Sequence, residues 1–218
     1  MKRALLIVIT AMFTATAYAQ RSDSLTCGYG HSFELKGAVA PMALVTAGSL
    51  VTGTDFLHNH IDISIQQWSQ KDGHQQCTED NYAQYAPLVA LPVLKLCGVK
   101  SKHDWRDIAS LTGGSVILAT VFSNGLKNIF KKERPYGNVY NSFPSGHTIT
   151  AFMGAEILRR EYSQAYPSIA IAGYAVAIGI GCMRVYNNRH WTSDVLAGAG
   201  FGILSASLMY WLAPYLRF

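Results

Sequence analysis

Five apolar runs, roughly residues 38–56, 82–99, 108–122, 168–183 and 195–212, are separated by short polar stretches, and a sixth, shorter helical segment follows Thr148. Several of them approach the length of about 20 residues that crosses a bilayer. They are rich in Gly, Ala, Ser and Thr, the residues that let helices pack closely. No repeat or low-complexity segment interrupts them. The segment after Thr148 carries Glu156, Arg159, Arg160 and Glu161, a pattern suited to a helix inside a bundle rather than one facing lipid. The pattern predicts an all-α bundle of about six helices, membrane-embedded if the long runs span. Overall hydropathy is only slightly positive, so a soluble helical bundle stands as the alternative.

The first stretch, MKRALLIVITAMFTATAYAQ, joins Lys2 and Arg3 to an apolar centre and places Ala17 and Ala19 at cleavage spacing before Gln20. Residues 1–19 therefore read as a signal peptide or signal anchor of an exported bacterial protein, and residues 20–218 as a single domain. Removing the signal takes two positive charges from a net charge of +5, leaving +3, too mild to argue for nucleic acid as a partner. Basic residues then sort by side. Lys100, Lys102 and Arg106, with Arg159, Arg160 and Arg217, satisfy the positive-inside rule if they face the cytoplasm, which puts the stretches around His147 and His190 outside. With the N-terminus also outside, run 38–56 cannot cross singly, and Pro41 and its glycines favour an interfacial or re-entrant helix. Export also permits disulfides. Cys27 and Cys77 lie in polar stretches and are expected to pair, while Cys97 and Cys182, in apolar ones, are expected to be buried thiols.

Chemistry concentrates in three segments. In KNIFKKERP, Lys127 and Arg134 are seven apart, so a continuous helix ended by Pro135 would place both cations on one face, with Lys131 and Lys132 elsewhere. The bland reading is a basic helix end complementing its dipole. In NSFPSGHTIT, Ser145, Gly146 and His147 precede an apolar run. A helix start there offers unpaired N–H groups to an anion, and Gly146 allows close approach. In CMRVYNNRHWTSD, Arg184 can clamp phosphate oxygens, and His190 and Asp194 are four apart, so the carboxylate can hold one imidazole nitrogen and free the other. Two histidines, three cations, one carboxylate and a helix start equip a site for phosphoryl transfer without a metal. HNH at His58 to His60, with Asp55 and Asp62 nearby, invites a metal reading, but no tetrahedral set can be completed from spacing, and a solvated loop is expected. Tyr136, Tyr186 and Trp191 flank the motifs as liners of a pocket mouth or as interfacial anchors.

The spacing K-x6-R-P, P-S-G-H and S-R-x5-H-x3-D resembles that of the type 2 phosphatidic acid phosphatase (PAP2) and vanadium haloperoxidase-like superfamily, matched at Lys127, Arg134 and Pro135, at Pro144 to His147, and at Arg184, His190 and Asp194. The match covers 127–194, and Met183 stands where the family usually has serine. The resemblance implies His190 as nucleophile, Asp194 orienting it, and His147 as the proton donor and then the base. Lys127, Arg134, Ser145, Gly146 and Arg184 would hold the phosphate, with no cofactor. It implies a phosphorylated-lipid phosphatase with an outward-facing site in a bacterial inner membrane, with lipid A, undecaprenyl pyrophosphate, phosphatidylglycerophosphate or phosphatidate as substrate. A soluble periplasmic acid phosphatase and a vanadate-dependent haloperoxidase are the alternatives within the same superfamily.

Overall fold

The computed structural model describes residues 35–216, apart from 72, 74 and 75. The signal segment, Cys27 and its expected bridge, and Arg217 lie outside the described residues. Everything described is helical or irregular, with no strand. In chain order the helices are α1 (Leu35–Gly53), α2 (Asp55–Gln70, with a π-helical stretch at His58–Ile63), α3 (Asp80–Ala83), α4 (Ala86–Leu96), α5 (Trp105–Phe130), α6 (Gly146–Tyr162), α7 (Pro167–Tyr186) and α8 (Thr192–Leu216).

Helix α6 is the hub, packing against α8, α7, α4 and α5. Its apolar positions Ile149, Met153, Ile157 and Tyr162 are all essentially buried, and they meet Phe201 and Leu204 of α8 and Leu91 of α4 in the main core. Small residues let the backbones close in. A Cβ at Gly202 of α8 would stand 2.5 Å from the Ile149 carbonyl oxygen of α6, and one at Gly200 would stand 2.5 Å from that of Pro41 in α1. The Gly-rich composition of run 195–212 is thus the reason one helix can lie tightly against two others.

Three helices, Trp105–Phe130, Pro167–Tyr186 and Thr192–Tyr215, are long and apolar enough to cross a membrane. The outward faces of α5 and α7 carry Ile117, Val121, Ile171 and Ile178, each more than half exposed. Such a face is stable only against another apolar medium. Helices α1 and α2 together pass the same test of length and composition but are bent by 93° at Thr54, the form of either a broken span or a re-entrant segment; the sequence expectation for run 38–56 is an interfacial or re-entrant helix. The basic groups sort by end as well: the backbone N–H of Lys102 donates to the Glu161 carbonyl, so the loop bearing Lys100 and Lys102 sits beside the Arg159–Arg160 end of α6. His147 is at the opposite end of the same helix.

Three expectations are corrected. Cys97 and Cys182 are exposed, because the apolar faces that carry them point outward rather than into the core. The HNH segment is helical, and Asp62 is buried at 1 % exposure with His58 bonded to it. Run 82–99 is two helices, α3 and α4, with Pro87 in the first turn of α4, where a proline's missing N–H costs nothing.

Candidate active site

Helix α5 does not continue to Pro135. It ends at Phe130, and Lys131, at φ +43°, reverses the chain in the left-handed C-cap conformation. Lys127 therefore stands in the last helical turn and Arg134 in the following loop, held by a bond from its N–H to Val139 O (2.9 Å) and from its Nε to Asn141 Oδ1 (2.8 Å). The expected shared helical face is absent, yet the two cations still lie close enough to repel each other.

The turn also sends Lys132 inward. At 7 % exposure its ammonium donates to Asp194 Oδ1 (3.0 Å), Asp62 Oδ2 (3.3 Å), Ser193 Oγ (2.7 Å) and Thr52 Oγ1 (3.1 Å). A lysine this deep needs such partners to remain charged.

The second motif is fastened to its neighbours on both sides. Ser142 N donates to Lys132 O (2.9 Å), the Ser142 hydroxyl donates to Asp194 Oδ2, and Ser145 N donates to Asp194 O (3.0 Å). Ser145 occupies the N-cap position of α6, but its side chain does not cap the helix; its hydroxyl accepts from Thr148 Oγ1 instead (2.9 Å). The first-turn amides are left without a side-chain cap, which is the condition for receiving an anion. A Cβ at Gly146 would lie 3.6 Å from Lys127 Nζ, so Lys127 stands directly over that helix start. Among the described residues its ammonium has no hydrogen-bond or ion-pair partner.

In the third motif the chain leaves α7 at Tyr186, and the N–H groups of Arg189 and His190 both donate to Arg184 O, closing the bend that presents His190 just ahead of α8. Asp194, in the first turn of α8, also receives Trp191 N at Oδ2 (3.0 Å). The same oxygen stands 3.6 Å from His190 Nδ1, too long for a hydrogen bond but within reach of an ion pair once the ring is charged. Arg184 is buried, with one Nη donating to Asp80 Oδ2 (2.7 Å) while its Nε has no partner. His147 Nε2 donates to Asn81 Oδ1 (3.0 Å).

The two histidines share an environment. Burial is the main force holding each down to about 4, reinforced at His190 by Arg134 and Arg184 and at His147 by Arg184, His190 and Lys127. Asp194 opposes this at His190, and Asp80 does so at His147. Both rings are therefore neutral at neutral pH, and the mutual influences show that all three segments converge on one small volume. Its net field is positive, suited to an anion.

Sequence reasoning passed over Asp80, Asn81 and Ser142, set Asp62 in a solvated loop and placed Lys132 away from the site. Only one left a usable signal: His58 and Asp62 repeat the four-residue histidine-to-aspartate spacing of His190 and Asp194. Among the described residues no group of three or more His, Cys, Asp or Glu could hold a metal ion.

The family model of the PAP2 superfamily matches residues 109–218, just over half of the chain, and the chain belongs to that family. Over 136 residues it is 41% identical to the lipid A 1-phosphatase of Porphyromonas gingivalis, a stretch that covers 62% of this chain and 30% of that protein. It is 33% identical over 114 residues to the lipid A 1-phosphatase of Rhizobium johnstonii, covering 43% of this chain and 44% of that one. The chain thus spans less than half the length of these curated relatives. Among solved structures it is similar to LpxE of Aquifex aeolicus (TM-score 0.54, 22% identity, 68% of this chain and 94% of that one). It is also similar to the transmembrane PAP2-type phosphatidylglycerolphosphate phosphatase of Bacillus subtilis (TM-score 0.55, 20% identity, 82% and 98%), and these two likenesses concern the fold.

Proposed function

We propose that the protein is a lipid phosphatase of a bacterial inner membrane, with its site facing the periplasm, that removes phosphate from a phosphorylated lipid through a phosphohistidine. The observation that carries this reading is the His190–Asp194 pair, a buried neutral imidazole 3.6 Å from a carboxylate, set beside an uncapped helix start and the cations Lys127, Arg134 and Arg184.

The chemistry follows from these positions. Phosphate enters against the α6 start, where the Gly146 amide, the Ser145 hydroxyl and the three cations hold its non-bridging oxygens. Nε2 of His190 attacks phosphorus while Nδ1 keeps its proton, directed at Asp194. The bond from phosphorus to the lipid oxygen breaks, and that oxygen takes a proton from His147. The cations stabilise the charge carried by the equatorial oxygens as the bond breaks. Water then attacks phosphorus, His147 accepts its proton, the phosphorus–nitrogen bond breaks, and inorganic phosphate leaves. His147 is neutral in the empty site; a bound phosphate dianion offsets Arg184 and Lys127 and supports the protonated form needed for the first step. The step needs no metal ion.

The outward apolar faces of α5 and α7 support a substrate approached from within the bilayer, and the similarity to two lipid A 1-phosphatases makes a phosphorylated lipid A the first substrate to try. The test is phosphate release by the full chain in detergent with EDTA present, using lipid A, undecaprenyl pyrophosphate, phosphatidylglycerophosphate, phosphatidate and a soluble aryl phosphate. Preference for one lipid, with loss of turnover in His190→Ala, is expected. Equal or better turnover of the aryl phosphate would overturn the lipid assignment, and turnover by His190→Ala would overturn the phosphohistidine.

A further inference from the structure

Helix α2 lies outside the stretch that matches the family, yet it sends a fully buried carboxylate to the back of the site. Asp62 Oδ1 accepts from Ser193 N (2.9 Å), and Oδ2 accepts from Lys132 Nζ, the Ser193 hydroxyl (2.5 Å) and His58 Nδ1 (2.9 Å). Lys132 is thereby shared between two carboxylates, Asp62 at 3.3 Å and Asp194 at 3.0 Å. The proposed phosphate contacts do not call on this lysine, whose ammonium stands between the two carboxylates and 5.8 Å from the centre of the Trp191 ring.

The arrangement has a consequence for His190. If Lys132 faced Asp194 alone, the pair would be neutral and would offer little to a positive ring. With Asp62 added, two carboxylates face one ammonium, and the group carries one net negative charge in a low-dielectric setting where such a charge acts strongly. When His190 Nε2 bonds to phosphorus the ring becomes cationic, and that surplus charge is the partner it then meets. The 3.6 Å gap from Nδ1 to Asp194 is consistent with a contact that tightens as the ring charges.

We propose that Asp62 is a positioning residue that divides the charge of Lys132 between two buried carboxylates, so that Asp194 retains the negative charge needed by the His190 ring as it is phosphorylated. The inference rests on the proposed phosphohistidine reaction. Asp62 touches neither phosphate nor His190; it acts through Lys132 and, by the Ser193 N–H and hydroxyl, through the first turn of α8 that carries Asp194.

The test uses the full chain in detergent, with Asp62→Asn, Lys132→Met and the double variant, read by kcat, KM, thermal unfolding and the proton resonance of His190 Nδ1–H, identified by its loss in His190→Ala. Asp62→Asn, whose amide must turn a donor toward one of the groups now donating to the carboxylate, is expected to lower kcat about ten-fold with KM nearly unchanged, to lower the thermal midpoint, and to shift the Nδ1–H resonance. Lys132→Met leaves two facing carboxylates without a cation and is expected to cost about a hundred-fold or more. The double variant, in which Asp194 alone is charged, should recover part of that loss, a coupling that independent residues would not show. An unchanged Nδ1–H resonance in Asp62→Asn, or a double variant no better than Lys132→Met, would overturn the proposal while leaving wild-type turnover and the effect of His190→Ala intact. Failure of the phosphatase reading itself shows in the wild type, and the resonance then still decides whether Asp62 acts on His190.

Discussion

The two ends of α6 each hold a buried polar cluster, and they are built in opposite ways. At the far end Glu156, 2 % exposed, accepts from Arg159 in bidentate form (2.7 and 2.7 Å), from Arg160 (2.7 Å) and from Tyr174 (2.7 Å), while Arg160 also donates to Ser207 (3.0 Å). One turn on, Glu161 accepts from the ring and backbone of His103 and from Tyr210. At the near end Lys127 has no partner among the described residues, and Arg184 Nε, His190 Nδ1 and Thr192 Oγ1 are buried without hydrogen bonds. No such orphan occurs in the Glu156–Glu161 cluster. A cluster that satisfies itself holds the helices in place; one that leaves cations and a ring unsatisfied has room for a charged guest.

That contrast can be attacked from both ends. The largest effect is expected from His190→Ala, which should reduce phosphate release on the order of a thousand-fold or more in folded protein. Lys127→Ala should lower kcat/KM about a hundred-fold, yet leave the thermal midpoint in detergent nearly unchanged. The lost ammonium makes no hydrogen bond or ion pair among the described residues, and its repulsion from Arg134 and Arg184 is offset by attraction to Asp194. Loss of stability in that variant would show that Lys127 is structural. Glu156→Ala should do the reverse: it removes the shared partner of two arginines that still reach water and should cost about 1–3 kcal/mol of stability, while turnover per folded molecule stays near wild type.

The histidines make the near end sensitive to acid. An unfolded histidine titrates near pH 6.5, whereas burial holds His147 and His190 down to about 4. Between those values the unfolded chain binds protons that the folded one refuses, so this contribution is complete above about pH 6.5 and is lost as pH falls toward 4. Thermal unfolding followed from pH 7.5 to 4.5 should show that decline, and His190→Asn should make it shallower. An identical slope in the variant would mean that His190 does not contribute to it. The smallest effect belongs to Tyr174→Phe, which removes one bond to Glu156 and should cost about 1 kcal/mol, read as a small drop in thermal midpoint without change in rate.

What could be read from the chain follows from what each residue's neighbours in sequence reveal. The helices were legible because apolar length and small-residue content are local properties. The three motifs were legible because their spacing is fixed along the chain. The end of α5 was not, since the reversal at Lys131 depends on a left-handed residue that has no glycine to mark it. That missed turn also hid Lys132, which a continuous helix would have pointed away from the site. Asp80 and Asn81 precede Arg184 and His147 by 104 and 66 residues, and no local pattern announces partners so distant. Cys97 and Cys182 teach the opposite lesson: an apolar neighbourhood in sequence means burial only where the medium outside is water.

The bond from Ser145 N to Asp194 O ties the uncapped start of α6 to the helix that carries Asp194. Bilayers vary in thickness, and helices answer by tilting. A tilt of α8 against α6 would displace the tied ends of the two helices less than their remote ends. On the proposed reaction, the spacing between His190 and the anion would then depend less on bilayer thickness than the spacing of the remote helix ends does.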